Sequence, residues 1–166
     1  MSSPSAAVEP IFAGPGEGEA YWAFGTLSIV KSAAENTGGA VSVIDTLAPR
    51  GAGSPLHVHN REDEWFYVIE GELTFWVGGR VIVAPAGSFV FGPKGVPHTF
   101  LVSSEEARFL LVAQPAGFEQ FMRTVGEPAP RLEIPPPASE PPDVEALTRI
   151  AAGFGLDIIG PPGIPD

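Results

Sequence analysis

The chain has 166 residues, enough for one domain with a real hydrophobic core, and its 44% hydrophobic and 17% charged residues are those of a globular protein. Twenty glycines and nineteen prolines favour a turn-rich, all-β domain over a helical bundle. A formal charge of −11 argues against a nucleic-acid partner, the absence of cysteine excludes disulfides and thiolate chemistry, and no apolar run approaches the roughly 20 residues that span a membrane.

Residues 1–20 are rich in Ser, Ala, Pro, Gly and Glu and read as a flexible N-terminal arm. Met1 to Pro10 lacks the basic start and apolar run of a secretory signal, so a cytoplasmic location is expected. Residues 21–113 read as short β segments between turn signals. The predicted strands are Thr26–Ser32, Ala40–Ala48, Trp65–Glu70, Leu73–Val77, Arg80–Ala84, Phe89–Gly92, His98–Val102 and Arg108–Ala113. Gly78-Gly79 between apolar runs predicts a tight hairpin.

From Gln114 to Asp166 the period changes, and this segment reads as a C-terminal extension. Phe118, Phe121, Met122 and Val125 share one face of a short helix. Residues 127–142 are a Pro-rich strap, and Asp143 caps a second helix with Val144, Leu147, Ile150, Ala151 and Phe154 on one face and Gly155 as its stop. Helices this short need a surface to lie on. The same chain or a second copy in a homodimer serves equally well.

All three histidines fall in two Gly-punctuated patterns. The first runs Gly51, five residues, His57-Val58-His59, four residues, Glu64, six residues, Gly71. The second runs Gly87, five residues, Pro93-Lys94-Gly95, two residues, His98. Residues two apart on a strand share a face, so His57 and His59 point the same way. Glu64 can return to that face on the next strand, and His98 comes from a separate hairpin. Three imidazoles and a carboxylate are a ligand set for a transition metal. A His-x-His pair taken alone is more often a packed or exposed pair than a ligand pair.

The two patterns together resemble the two cupin motifs, over residues 51–71 and 87–98. The resemblance implies a double-stranded β-helix, a jelly-roll barrel, here with a short α-helical extension. It implies His57, His59, Glu64 and His98 as ligands of one divalent metal ion, with Fe, Ni, Mn, Cu and Zn all compatible. One departure is visible: Val102 stands where the second motif usually has Asn. The stretch Gln114 to Phe121, with Ile159-Gly160-Pro161-Pro162, resembles the tail of bacterial cupins labelled quercetin-2,3-dioxygenase-like.

Alternation places Phe66 and Val68 on the face of Glu64, and Phe100 and Val102 on the face of His98. With Phe75 or Trp76, and Phe89 or Phe91, they make an apolar wall that is equally well barrel core. Such a pocket suits an aromatic or enol substrate better than a sugar phosphate. Every histidine is committed to the metal, so the general base is Glu64, another carboxylate, Tyr21, Tyr67 or metal-bound hydroxide. In flavonol-cleaving cupins the residue equivalent to Glu64 takes the substrate hydroxyl proton. Glu62, Asp63 and Glu70 read as surface or turn acids. Three functions remain open: a metal-dependent dioxygenase using O₂, a non-oxidative metal-dependent cyclase, isomerase or lyase, and a non-catalytic barrel that binds a small molecule.

Overall fold

The computed structural model describes residues 8–166, so the first seven residues of the expected arm lie outside the described residues. Two antiparallel sheets face each other. The first joins β1 (Glu19–Ala23), β2 (Thr26–Ser32), β3 (Ser42–Pro49), β5 (Asp63–Glu70), β8 (Phe89–Gly92), β10 (Glu106–Gln114) and β11 (Glu127–Pro128), in the order β11-β1-β2-β3-β10-β5-β8. The second joins β4 (Pro55–His59), β6 (Glu72–Val77), β7 (Arg80–Pro85), β9 (His98–Val102) and β12 (Leu156–Pro162), in the order β12-β4-β9-β6-β7. From β3 to β10 the chain crosses between the sheets at every step except the β6–β7 hairpin, which is the jelly-roll arrangement of a double-stranded β-helix.

Period-two patterning fills the space between the sheets. On β5, Glu64, Phe66 and Val68 point inward while Trp65 and Tyr67 point out. Phe66, Phe75 and Phe109 are almost wholly buried, with ring centroids of Phe66 and Phe75 4.9 Å apart. Each such side chain contributes about 1.5–3 kcal/mol by leaving water. Phe89 and Phe91 do not join the inner wall: Phe66 lies opposite Val90, so Val90 faces in and its two neighbours face solvent at 58% and 45% exposure. Gly78 and Gly79 form the expected two-residue hairpin between β6 and β7, both in the left-handed region that L side chains avoid.

A four-residue helix, α1 (Ala34–Thr37), links β2 to β3, and the extension supplies α2 (Phe118–Val125) and α3 (Val144–Gly153). The Asp143 side chain accepts from the Ala146 amide at 2.9 Å, which is the cap of α3. The last segment is not a free tail. It returns as β12 beside β4, with Leu156 opposite His59 and Ile158 opposite His57. Gly160, Pro161 and Pro162 interrupt its alternation, and prolines are tolerated here because β12 is an edge strand. The barrel therefore does not close at Ala113. At the other end β1 begins at Glu19, inside the segment read as an arm. No helix among the described residues is long and apolar enough to cross a membrane.

Candidate metal centre

His57 and His59 sit on β4 with one residue between them, so both rings enter the barrel. Glu64 arrives from β5, and His98 opens β9 directly opposite His57. The chain entering β4 passes close to β9: Gly53 bridges Leu101, and a Cβ at Gly53 would run into the Phe100 carbonyl. Only glycine allows that approach.

The four residues are buried, and one donor atom from each lies within 4.8 Å of all the others. His98 Nε2 is 2.7 Å from Glu64 Oε2, His59 Nε2 is 3.1 Å from the same oxygen, and His57 Nε2 is 3.2 Å from His59 Nε2. The Nδ1 atoms are engaged elsewhere. Those of His57 and His98 donate to the Pro55 and Val96 carbonyls at 2.8 and 3.0 Å, and that of His59 donates to Glu62 Oε1 at 2.8 Å. Carbonyls cannot donate, so these bonds fix the proton on Nδ1 and leave the Nε2 lone pairs aimed at one point. Lone pairs and a carboxylate this close need a cation or a shared proton between them. The donor set therefore fits one divalent transition metal.

The charges say the same. Without a cation the positive charge falls to His59: burial opposes it, but the Glu64 and Glu62 carboxylates outweigh burial and push this imidazole up to about 10. Burial holds His57 below the ordinary imidazole value, so it stays neutral. Burial would raise Glu64, but the charge on His59 and the hydrogen bond it donates, with the His57 and His98 rings close by, hold it well below the usual carboxylate range.

Beside the cluster lies a cavity of about 90 Å³. His57 and Glu64 reach it, and they are its only titratable lining side chains among the described residues. Of the five residues expected to bind substrate, Phe100 lines it; Phe66, Val68, Phe75 and Val102 do not. They do face inward, but the two sheets pack together over them, so they are core. One side of the cavity is lined by Phe118, Phe121 and Met122 of α2 and Leu147 of α3, which periodicity placed on apolar helix faces, together with Leu156 and Ile158 of β12. The extension thus lies on its own chain, as a cover.

Two further features escaped the sequence. Glu62, read as a surface acid, is buried at 5% exposure against His59. Its place three residues after a candidate ligand histidine was the one available signal. Thr26, Ser28 and Thr46 also line the cavity, though in the sequence they look like ordinary strand residues. Tyr21 and Tyr67 are outside the site: the Tyr21 hydroxyl donates to Glu19, and Tyr67 is exposed. Asp63 accepts from the Lys94 amide in the loop before His98.

The cupin domain family matches residues 43–113, which include all four cluster residues. Over 113 residues the chain is 32% identical to a quercetin 2,3-dioxygenase of Bacillus subtilis (strain 168), covering 68% of this chain and 34% of that protein. The chain therefore spans about a third of that relative's length. Among solved structures, an RmlC-like cupin from Shewanella frigidimarina NCIMB 400 superposes with a TM-score of 0.57 at 20% identity, covering 69% of this chain and 99% of that one. KdgF from Halomonas sp. gives a TM-score of 0.53 at 17% identity, covering 58% and 84%. At these identities the two structures share the fold.

Proposed function

Because the chain belongs to the cupin superfamily, we propose that it is a metal-dependent cupin enzyme and, more finely, a dioxygenase of a small aromatic or enol substrate. The observation that carries this reading is the convergence of His57, His59, Glu64 and His98 beside a largely apolar cavity. Similarity to a protein named quercetin 2,3-dioxygenase supports the oxidative choice.

A divalent transition metal in this cluster would supply a Lewis acid and, as iron, nickel, manganese or copper, a redox-capable centre. The chain's own residues do the rest. The rings of Phe100, Phe109 and Phe118 bound the cavity and favour a planar ligand. No Lys or Arg lines it, so the ligand carries no phosphate or carboxylate into the wall. Glu64 is ionised and reaches the cavity, so it is the group placed to take an enol or phenol proton. The cover of α2 and α3 keeps water from that step.

The test is elemental analysis of untagged protein beside a His59→Ala variant, followed by O₂-uptake screening of flavonols and other enols. Near-stoichiometric Fe, Ni, Mn or Cu, absent from the variant, with substrate-dependent O₂ consumption, is expected. Stoichiometric zinc, or the same turnover under strict anaerobiosis, would replace the oxidative reading with a cyclase, isomerase or lyase. No metal and failed reconstitution would leave a binding barrel.

A further inference from the structure

The outer face of the first sheet breaks the alternation of a solvated sheet. An antiparallel sheet that packs on one face ordinarily carries polar residues on the other. Here the outward positions form apolar cross-strand rows. Phe91 of β8 lies opposite Trp65 of β5, Trp65 opposite Val112 of β10, and Val112 opposite Val43 of β3. In the next row Phe89 lies opposite Tyr67, and Tyr67 opposite Leu110. Phe89, Phe91 and Tyr67 are 58%, 45% and 44% exposed, so no part of the described chain covers them.

The second row ends at Asp45, opposite Leu110, and this acid is already paired. Arg108 donates to its two oxygens at 3.0 and 2.7 Å. A bidentate pair carries no net charge, and covering it leaves neither ion alone in an apolar contact. The two rows hold no other charge. The chain as a whole carries −11, so two copies repel over most of their surface and meet without repulsion here.

The chain's own segments are engaged elsewhere. Lys31 donates to the Gly14 and Glu17 carbonyls, and the Trp22 indole donates to the Glu133 carbonyl. These bonds hold the N-terminal segment and the Pro-rich strap at β2 and β1, where Leu27 and Ile29 are buried. The helices α2 and α3 lie at the cavity. The outer face of the second sheet is a poorer contact. Val81 and Val83 are exposed there, but Val83 lies opposite Thr74, and Val81 lies opposite Trp76, which is followed by Thr99.

Phe89, Phe91 and Tyr67 are each about half exposed, and aromatic side chains bury about 150–250 Å² when covered, so the three offer on the order of 300 Å². With the half-buried Trp65, Leu110, Val43 and Leu47 the patch reaches on the order of 500 Å². Two such patches face to face would bury about 1,000 Å², the size at which a specific interface begins. Exposed aromatics around a neutralised centre are also the composition of an interface core.

We propose that the outer face of β8, β5 and β10, centred on Phe89, Phe91, Tyr67 and Trp65, packs against the same face of a second copy of this chain. The contact is sheet on sheet about a two-fold axis, which closes the assembly at two copies. It backs onto the metal cluster without entering it, because Glu64 points inward from the same strand that turns Trp65 and Tyr67 outward.

The experiment is sedimentation equilibrium of the full-length chain at micromolar concentration. The expected mass is twice the 17.4 kDa of one chain. Phe89→Lys and Phe91→Lys should each raise the dimer dissociation constant by about 100-fold, and Tyr67→Ser, which trims the contact without adding charge, by about 10-fold. All three side chains face solvent in the single chain, so circular dichroism and metal content should stay at the wild-type level. Tyr67→Ser keeps the test decisive if the lysine variants precipitate. Val81→Lys and Val83→Lys on the other sheet should leave the mass unchanged. A wild type that is monomeric throughout overturns the proposal. So does a dimer that survives Phe89→Lys, Phe91→Lys and Tyr67→Ser, or one that dissociates only on Val81→Lys or Val83→Lys, which would move the contact to the second sheet.

Discussion

His59 Nδ1 and Glu62 Oε1 lie 2.8 Å apart in a buried contact that ties the central imidazole of the cluster to a second carboxylate. The bond fixes the ring's orientation and tautomer and raises the basicity of the nitrogen that faces the ligand point. Glu62→Gln keeps an acceptor but loses the charge, and should lower metal affinity by about 10-fold; Glu62→Ala should lower it by up to about 100-fold. Competition with a chromogenic chelator measures both. Circular dichroism should show both variants folded, since Glu62 lies in the turn before β5 and packs against His59 rather than within the hydrophobic cluster. Unchanged affinity in both variants would reduce Glu62 to a packing role.

The metal-free protein should show a distinctive pH profile. His59 is pushed up to about 10, above the 6.5 of a free imidazole, so its protonated form favours folding. That contribution is complete below about pH 6.5 and is lost as pH rises toward 10. Glu64 is depressed, so its contribution is present above about pH 4.5 and is lost on acidification. Thermal unfolding of chelator-treated protein should therefore give a Tm that falls from pH 6.5 to 10. Metal-loaded protein should not fall over the same range, because the cation replaces the His59 proton and binds more tightly as that proton leaves. Parallel curves with and without metal would contradict the assignment of the charge to His59.

The motif spacing and the alternation along the strands were enough to bring the four candidate ligands His57, His59, Glu64 and His98 together in one barrel. Alternation says only in or out, so it could not separate core from cavity: Phe66 and Val68 are inward like Glu64, yet lie where the sheets touch. Which residues cover the mouth depends on how α2, α3 and β12 fold back, a tertiary fact with no local signature. Glu62 was misread for a related reason. A charged turn residue is ordinarily solvated, and only the His59 ring beside it makes its burial tolerable.

Glu119 anchors the cover. It is fully buried in the first turn of α2 and accepts from the Ala34 amide at 2.8 Å, the Gly117 amide at 2.7 Å and the Ser42 hydroxyl. Burial alone would raise its pKa, but these donors outweigh it and keep the carboxylate ionised. Glu119→Ala strands the donors and should destabilise the fold by about 3 kcal/mol, a drop in Tm of about 6–12 °C. The ligand atoms are untouched, so metal content at low temperature should stay at the wild-type level. Differential scanning calorimetry and metal analysis on one preparation check both halves. Metal loss with an unchanged Tm would show that Glu119 acts on the site rather than on the cover.

Phe118 is the part of the cover nearest the chemistry. Its ring meets that of His59 edge to face at 5.4 Å and packs against Phe121 at 5.7 Å. The cavity, about 90 Å³, is smaller than the roughly 150 Å³ that holds a benzene ring, so seating an aromatic ligand requires lining side chains such as this one to shift. Phe118→Ala should remove that step. Phe118 is half-buried, so the cost should be about 2 kcal/mol, below the roughly 3–5 of a fully buried phenylalanine. Ligand association and chelator-driven metal loss should each quicken by about 10-fold, equivalent to about 1.4 kcal/mol off the opening barrier. Stopped-flow mixing with 3-hydroxyflavone and with a chelator measures the two rates. Equal acceleration of both makes α2 the common gate, whereas unchanged rates place the entrance on another side of the barrel.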